Sequence, residues 1–152
     1  MVQLCDTVFV GLIPLCMDLF ISLYDYADVG ALLLRLVIGA IFLVHGVQKI
    51  KMWRMQASEQ MPIGLLWTMR LLSIVEPLGG IAMALGVLTP FAALGFAVIM
   101  LGAISMKQKW QTPFAAHDKT GWEFDLMILA VVVALLFFGP GEYSIDRYWW
   151  GL

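Results

Sequence analysis

The sequence predicts an all-α membrane protein: a four-helix transmembrane bundle preceded by an N-terminal helix that is either interfacial or a fifth span. Three observations predict it. Of the 152 residues, 62% are hydrophobic and only 13% are charged, whereas a soluble domain carries about 25% charged residues. The apolar residues fall in long runs separated by short polar connections. At about 20 residues per spanning helix, the length holds four helices with their connections, or five if the N-terminal stretch inserts. The same composition excludes disorder. A net charge of −2 with nine scattered cations excludes nucleic-acid binding through a basic face. Cys5 and Cys16 are too few for a disulfide framework and lack a CxxC spacing.

The first apolar stretch, Val8 to Leu23, is interrupted by Pro14 and Asp18 and has no Lys or Arg before it, so it lacks the basic n-region of a secretory signal. It reads as an interfacial or half-inserted helix, or as a fifth span. The acidic connector Tyr24-Asp25-Tyr26-Ala27-Asp28 leads into span one, Ala31 to Ile50, which carries Arg35, His45 and Lys49. Span two, Leu65 to Leu88, carries Arg70 and Glu76, and Pro77 with Gly79-Gly80 is expected to bend or loosen it. Thr89-Pro90 is an uncharged turn, which makes spans two and three a tight hairpin. Span three, Phe91 to Met106, has no ionisable group. The last apolar run, Leu126 to Phe138, is too short for a bilayer of about 30 Å at 1.5 Å per residue. To cross, it has to begin near Thr120, which draws Glu123 and Asp125 to the membrane boundary. The tail GPGEYSIDRYWW combines turn residues with an aromatic cluster suited to the headgroup level.

Lys and Arg set the orientation. The loops after spans one and three hold Lys49, Lys51, Arg54, Lys107, Lys109 and Lys119, while the other side has only Arg147. By the positive-inside bias the basic loops are cytoplasmic and both termini lie outside. The sequence shows no internal repeat.

Each charged residue at the centre of a spanning helix costs about 2.5 to 3.5 kcal/mol on the insertion scale, so the intramembrane charges require partners. At 100° per residue, Arg35, His45 and Lys49 lie within about 80° of one face of span one, along about 21 Å. Counting residues inward from the basic end puts Glu76 level with residue 40, between Arg35 and His45. Two layers are expected: a deep one of Arg35, His45 and Glu76, with Glu76 paired to Arg35 or His45, and a shallow one of Lys49, Arg70, Glu123 and Asp125. These charges either fix the register of the bundle or serve a function, for which the histidine argues because its ordinary pKa lies near neutrality. Lys49 is also close enough to the helix end to snorkel. His117, beside Asp118, reads as a solvated loop residue. Two histidines 72 positions apart, with no HxxxH or ExxH pattern, make no metal-ligand set.

Four segments together resemble the DoxX family: LLLRLVIGAIFLVHGVQKI in span one, EPLGGIAMALGVLTP in span two, GWEFDLMILA entering span four, and GPGEYSID after it. The first carries the arginine, the glycine and the His-Gly-x-x-Lys of the family pattern. The resemblance covers residues 31–146, preceded by the segment 1–30 and followed by the aromatic tail 147–152. It points to Arg35, His45, Gly46, Lys49, Glu76 and Glu123, with Asp125 and Arg70 as additions of this sequence. The family is a four-helix inner-membrane group named from small subunits associated with quinone-linked sulfur oxidation, related to thiosulfate:quinone oxidoreductase. The resemblance therefore implies a multi-pass protein of the bacterial inner membrane.

Three functions compete. As the membrane subunit of a redox complex, the chain offers a quinone an apolar slot with a polar or protonating group at each carbonyl. There His45 serves a carbonyl, Glu76 relays protons, Arg35 and Lys49 stabilise the anionic reduced ring, and Glu123 and Asp125 complete the binding layer. The sequence has no haem ligand pair, flavin motif, iron-sulfur cysteine set or metal motif, so electrons require a soluble or membrane oxidoreductase partner. As a scaffold, the chain docks a soluble oxidoreductase on its basic loops without catalysis. As a pathway, its polar stripe conducts a small solute or protons. The bilayer is a partner in all three, nucleic acid in none, and a homo-oligomer is compatible with each.

Overall fold

The computed structural model describes residues 17, 21–59, 61–115 and 121–151. These form five α-helices: α1 (Ala27–Lys49), α2 (Ile63–Leu85), α3 (Thr89–Lys109), α4 (Glu123–Phe138) and the short α5 (Ile145–Trp150). Three helical segments, Ile21–Arg54, Ile63–Leu85 and Thr89–Lys109, are long and apolar enough to cross a membrane. The chain is an all-α membrane protein, as its composition requires.

Several boundaries differ from expectation, each for a local reason. The stretch Tyr24–Tyr26, expected in a connector, is a 3-10 turn running directly into α1. No Gly or Pro interrupts it, and Asp28 falls in the first turn of α1, where the helix dipole favours an acid. Most of the Val8 to Leu23 stretch lies outside the described residues, so the choice between an interfacial helix and a fifth span does too. The α2–α3 turn falls at residues 86–88 rather than at Thr89-Pro90. Gly86 ends α2 with φ +68° while the Val87 N–H bonds the Ala82 carbonyl, and Pro90 sits in the first turn of α3, where a missing N–H forfeits no helix bond. α4 begins at Glu123, not near Thr120. The Glu123 N–H donates to the Phe114 carbonyl, and a Cβ on Gly121 would stand 2.0 Å from that oxygen, so the chain before α4 is held against the preceding loop.

α1 and α2 pack with their backbones in contact. A Cβ on Gly39 would stand 2.6 Å from the Gly80 carbonyl oxygen, and a Cβ on Gly46 would stand 2.2 Å from Cδ of Pro77. In lipid no hydrophobic force drives helices together, so close van der Waals approach through small residues does much of that work. α2 passes through Pro77 unbroken. The ring forgoes the bond to the Ser73 carbonyl and supplies the surface on which Gly46 rests. α3 and α4 form the second close pair. The pairs meet through a core of Ile38, Phe42, Met83, Phe96, Ile128 and Val132, in which the rings of Phe42 and Phe96 stack with centroids 3.6 Å apart.

Candidate functional site

A cleft of about 690 Å³ lies between the two helix pairs, toward the end that carries Lys49 and Lys107. All four long helices line it. Its walls are mostly apolar, with Phe42 from α1, Leu72 from α2, and Phe124 and Ile128 from α4. Polar groups reach it from two opposite directions.

The α1–α2 packing fixes the first wall. Gly46 lies beside Pro77 and Gly39 beside Ala84, so the helices are antiparallel and Glu76 stands level with the last turn of α1. Side chains lean toward the N-terminus of their own helix, and in an antiparallel pair Lys49 and Glu76 therefore converge. Lys49 Nζ donates to both carboxylate oxygens of Glu76. Glu76 is 1% exposed and Lys49 about a quarter. The expected pairing of Glu76 with Arg35 or His45 is thus corrected, as is a snorkelling Lys49. Counting depth from the helix ends failed because about the first three turns of α2 extend past the end of α1, beside the loop. Arg70 holds them there, donating from Nε to the Met52 carbonyl (3.2 Å) and from Nη2 to that of Met55 (2.9 Å). His45 stands one turn before Lys49 and is exposed to the same cleft.

On the opposite wall Lys107 Nζ lies 2.7 Å from Oδ2 of Asp125 and donates to the Gly121 carbonyl at 3.1 Å. This joins the end of α3 to the first turn of α4. The expected shallow layer is therefore divided: Lys49 belongs with Glu76, Asp125 belongs with Lys107, and Arg70 turns to the loop, its guanidinium 5.0 Å from the Trp67 ring and 5.8 Å from that of Trp53. Glu123 is half-buried at the start of α4 and does not line the cleft. His117 lies outside the described residues.

Arg35 is at the other end of the bundle, about 21 Å from Lys49 along the helix axis. It is fully buried and donates to the Tyr143 carbonyl. Beside it Asp146, 1% exposed, accepts from the backbone N–H groups of Leu88 and Thr89, each at 2.7 Å, while its own N–H bonds the Gly86 carbonyl. One carboxylate thus caps α3 from 57 residues downstream. It also supports Leu88, whose φ of +50° is uncommon without glycine. Gly86 is required for conformation and for space, since a Cβ there would stand 2.0 Å from Nη1 of Arg35. This is a structural clamp; Arg35 and the cleft residues are not brought together.

Sequence reasoning missed Lys107 as a residue of the cleft and Asp146 as a residue of the clamp. Lys107 carried a signal only as a basic loop charge, since its partner lies across a loop whose closure the sequence does not state. Asp146 lay within the GPGEYSID segment, where Ser144 caps α5 by accepting from the Arg147 N–H.

A helical bundle with ion pairs lining its cleft at one end and a buried arginine and carboxylate bonded to backbone at the other defines a small polytopic membrane protein. The DoxX family model matches residues 30–118, more than half of the chain, and the chain belongs to the DoxX family. It is similar to a Bacillus subtilis (strain 168) protein with the name "Putative oxidoreductase CatD", at 31% identity over 124 residues, which covers 80% of this chain and 87% of that relative. No solved structure matches the chain at a significant level.

Proposed function

We propose that this chain is the membrane subunit of a quinone-linked redox complex of the bacterial inner membrane, and that the cleft holds the quinone ring. The observation that carries this reading is the makeup of the cleft: an apolar slot with His45 and the Lys49–Glu76 pair on one wall and Lys107–Asp125 on the other. Its volume lies within the range of about 300 to 1,000 Å³ typical of small-molecule sites. A ring with a carbonyl at each end fits a donor set divided between two walls. A bound quinone supplies the capacity to accept two electrons and two protons, and the electrons come from an oxidoreductase partner subunit. The relative's name as an oxidoreductase supports the same class.

The chain's own residues then have distinct tasks. His45 donates to one carbonyl oxygen from the exposed side of α1. Lys49 places positive charge where negative charge develops on the ring. Glu76 takes protons arriving through the open end of the cleft, its carboxylate oriented by Lys49. Lys107 faces the other end of the ring, positioned by Asp125 and the Gly121 carbonyl. Arg35 and Glu123, expected among the binding residues, have no part in this arrangement.

The test is purification of the full chain from native membrane, lipid extraction and quantification of quinone by mass spectrometry. Quinone should be retained with the wild type and fall several-fold in His45→Gln at unchanged thermal stability. A wild type that retains no quinone above the level of an unrelated membrane protein overturns the reading.

A further inference from the structure

The cleft is continuous with the outer surface of α3. The exposed positions of α3 include Leu94, Gly95, Val98, Leu101, Gly102 and Ser105, a stripe at the i, i+3, i+4, i+7 spacing of one helix face. Val98, Gly102 and Ser105 of this stripe also line the cleft, and Thr68 of α2, likewise exposed, lines it from across the gap. α2 and α3 are held together near their shared turn, where a Cβ on Gly79 would stand 3.0 Å from the Phe96 ring. Further along, toward the charged pairs, the cleft lies between them. The two hydroxyls on its edge are bonded within their own helices, Thr68 to the Gly64 carbonyl (3.0 Å) and Ser105 to the Leu101 carbonyl (2.8 Å). They present no free donor to an apolar molecule. At Gly102 a Cβ would meet nothing within 4 Å.

We infer that the cleft is entered sideways from the bilayer through the gap between α2 and α3, and that the apolar tail of its ligand lies in this gap across Gly102. The inference rests on the proposed quinone reading and adds a ligand class to it: a ring carrying a long hydrocarbon tail, which cannot approach through water. Gly102 becomes the position that discriminates tailed from tail-less ligands. A side chain there occupies the route of the tail with no cost to packing inside the bundle.

The experiment uses the full chain in phosphatidylethanolamine–phosphatidylglycerol nanodiscs. Binding of a long-tailed ubiquinone and of its tail-less benzoquinone head is followed by quenching of tryptophan fluorescence, for which Trp110 on the cleft lining is the reporter. Gly102→Trp should weaken the long-tailed ligand about tenfold, equivalent to about 1.4 kcal/mol, and leave the tail-less one within about twofold of wild type. Gly95→Trp, on the same exposed stripe but off the cleft and also in open space, should change neither. Wild-type affinity of Gly102→Trp for the long-tailed ligand overturns the side entrance, and so does an equal loss of both ligands. A wild type that binds neither overturns the quinone reading itself, and a gap that yields bound phospholipid in place of quinone overturns its occupant.

Discussion

Glu76 sits 1% exposed in an apolar bundle, where an unpaired carboxylate is costly and a cation bonded to both of its oxygens restores the balance. Removing one partner of a buried pair typically costs about 3 to 5 kcal/mol. Glu76→Gln should therefore lower thermal stability in detergent by about that amount, and Lys49→Gln should do much the same. The double variant should be less damaging than the sum of the singles, whereas Glu76→Gln combined with Arg35→Gln should be additive, because that pair is not in contact. Additivity of the Lys49 cycle would contradict the pairing. At the other end, Asp146→Asn leaves one good acceptor for two N–H groups and should cost about 1 to 2 kcal/mol in the same melt. That the intramembrane charges need partners was legible from the sequence. Which partners they take was not, because side chains on different helices meet only after the interhelical register is set, and the close contacts of Gly39 and Gly46 with α2 place that register about two turns from the one that helix ends suggest.

Between helices the deciding residues are those without side chains. Gly46 faces Pro77 so closely that even a methyl group forces α1 and α2 apart, whereas Gly95 faces open space. Gly46→Ala should lower thermal stability by about 1 to 3 kcal/mol, the usual cost of overpacking, while Gly95→Ala should leave it unchanged or slightly raised. Equal melts for the two variants would remove the close approach as the source of α1–α2 cohesion. The helices themselves were legible as apolar runs of the right length, and the α2–α3 connection as a tight uncharged turn, although it lies at residues 86–88 and Thr89-Pro90 opens α3. Their ends were less so. The start of α4 depends on the contact of Gly121 and Glu123 with the Phe114 carbonyl, a tertiary contact that hydrophobic length does not encode. For the same reason Glu123, though part of the family pattern, could not be separated from Asp125 by sequence, and only Asp125 reaches the cleft.

The bundle as a whole has two unlike ends, one with nearly all the lysines and one with Asp146, Arg35 and the aromatic α5, whose Tyr148, Trp149 and Trp150 are exposed. From the positive-inside bias we propose that the lysine-bearing end is cytoplasmic. Reporter fusions after Arg54 and after Lys109 should both report cytoplasm and a fusion after Trp150 the outside; opposite readings at the first two sites would reject this orientation. The clamp at the end opposite the lysines also has a consequence for biosynthesis. Leu88 and Thr89 leave the ribosome 58 and 57 residues ahead of the carboxylate that will receive their N–H groups. At about 5 to 20 residues per second, the hairpin waits roughly 3 to 12 s with that turn unsealed, its amides left to water and lipid headgroups. Arg35, made earlier still, waits with it for the Tyr143 carbonyl. The glycine contacts between α1 and α2 involve those two helices alone and are free to form at once, so the nascent chain closes from its first helices toward its last, and the clamped end sets only when Asp146 arrives.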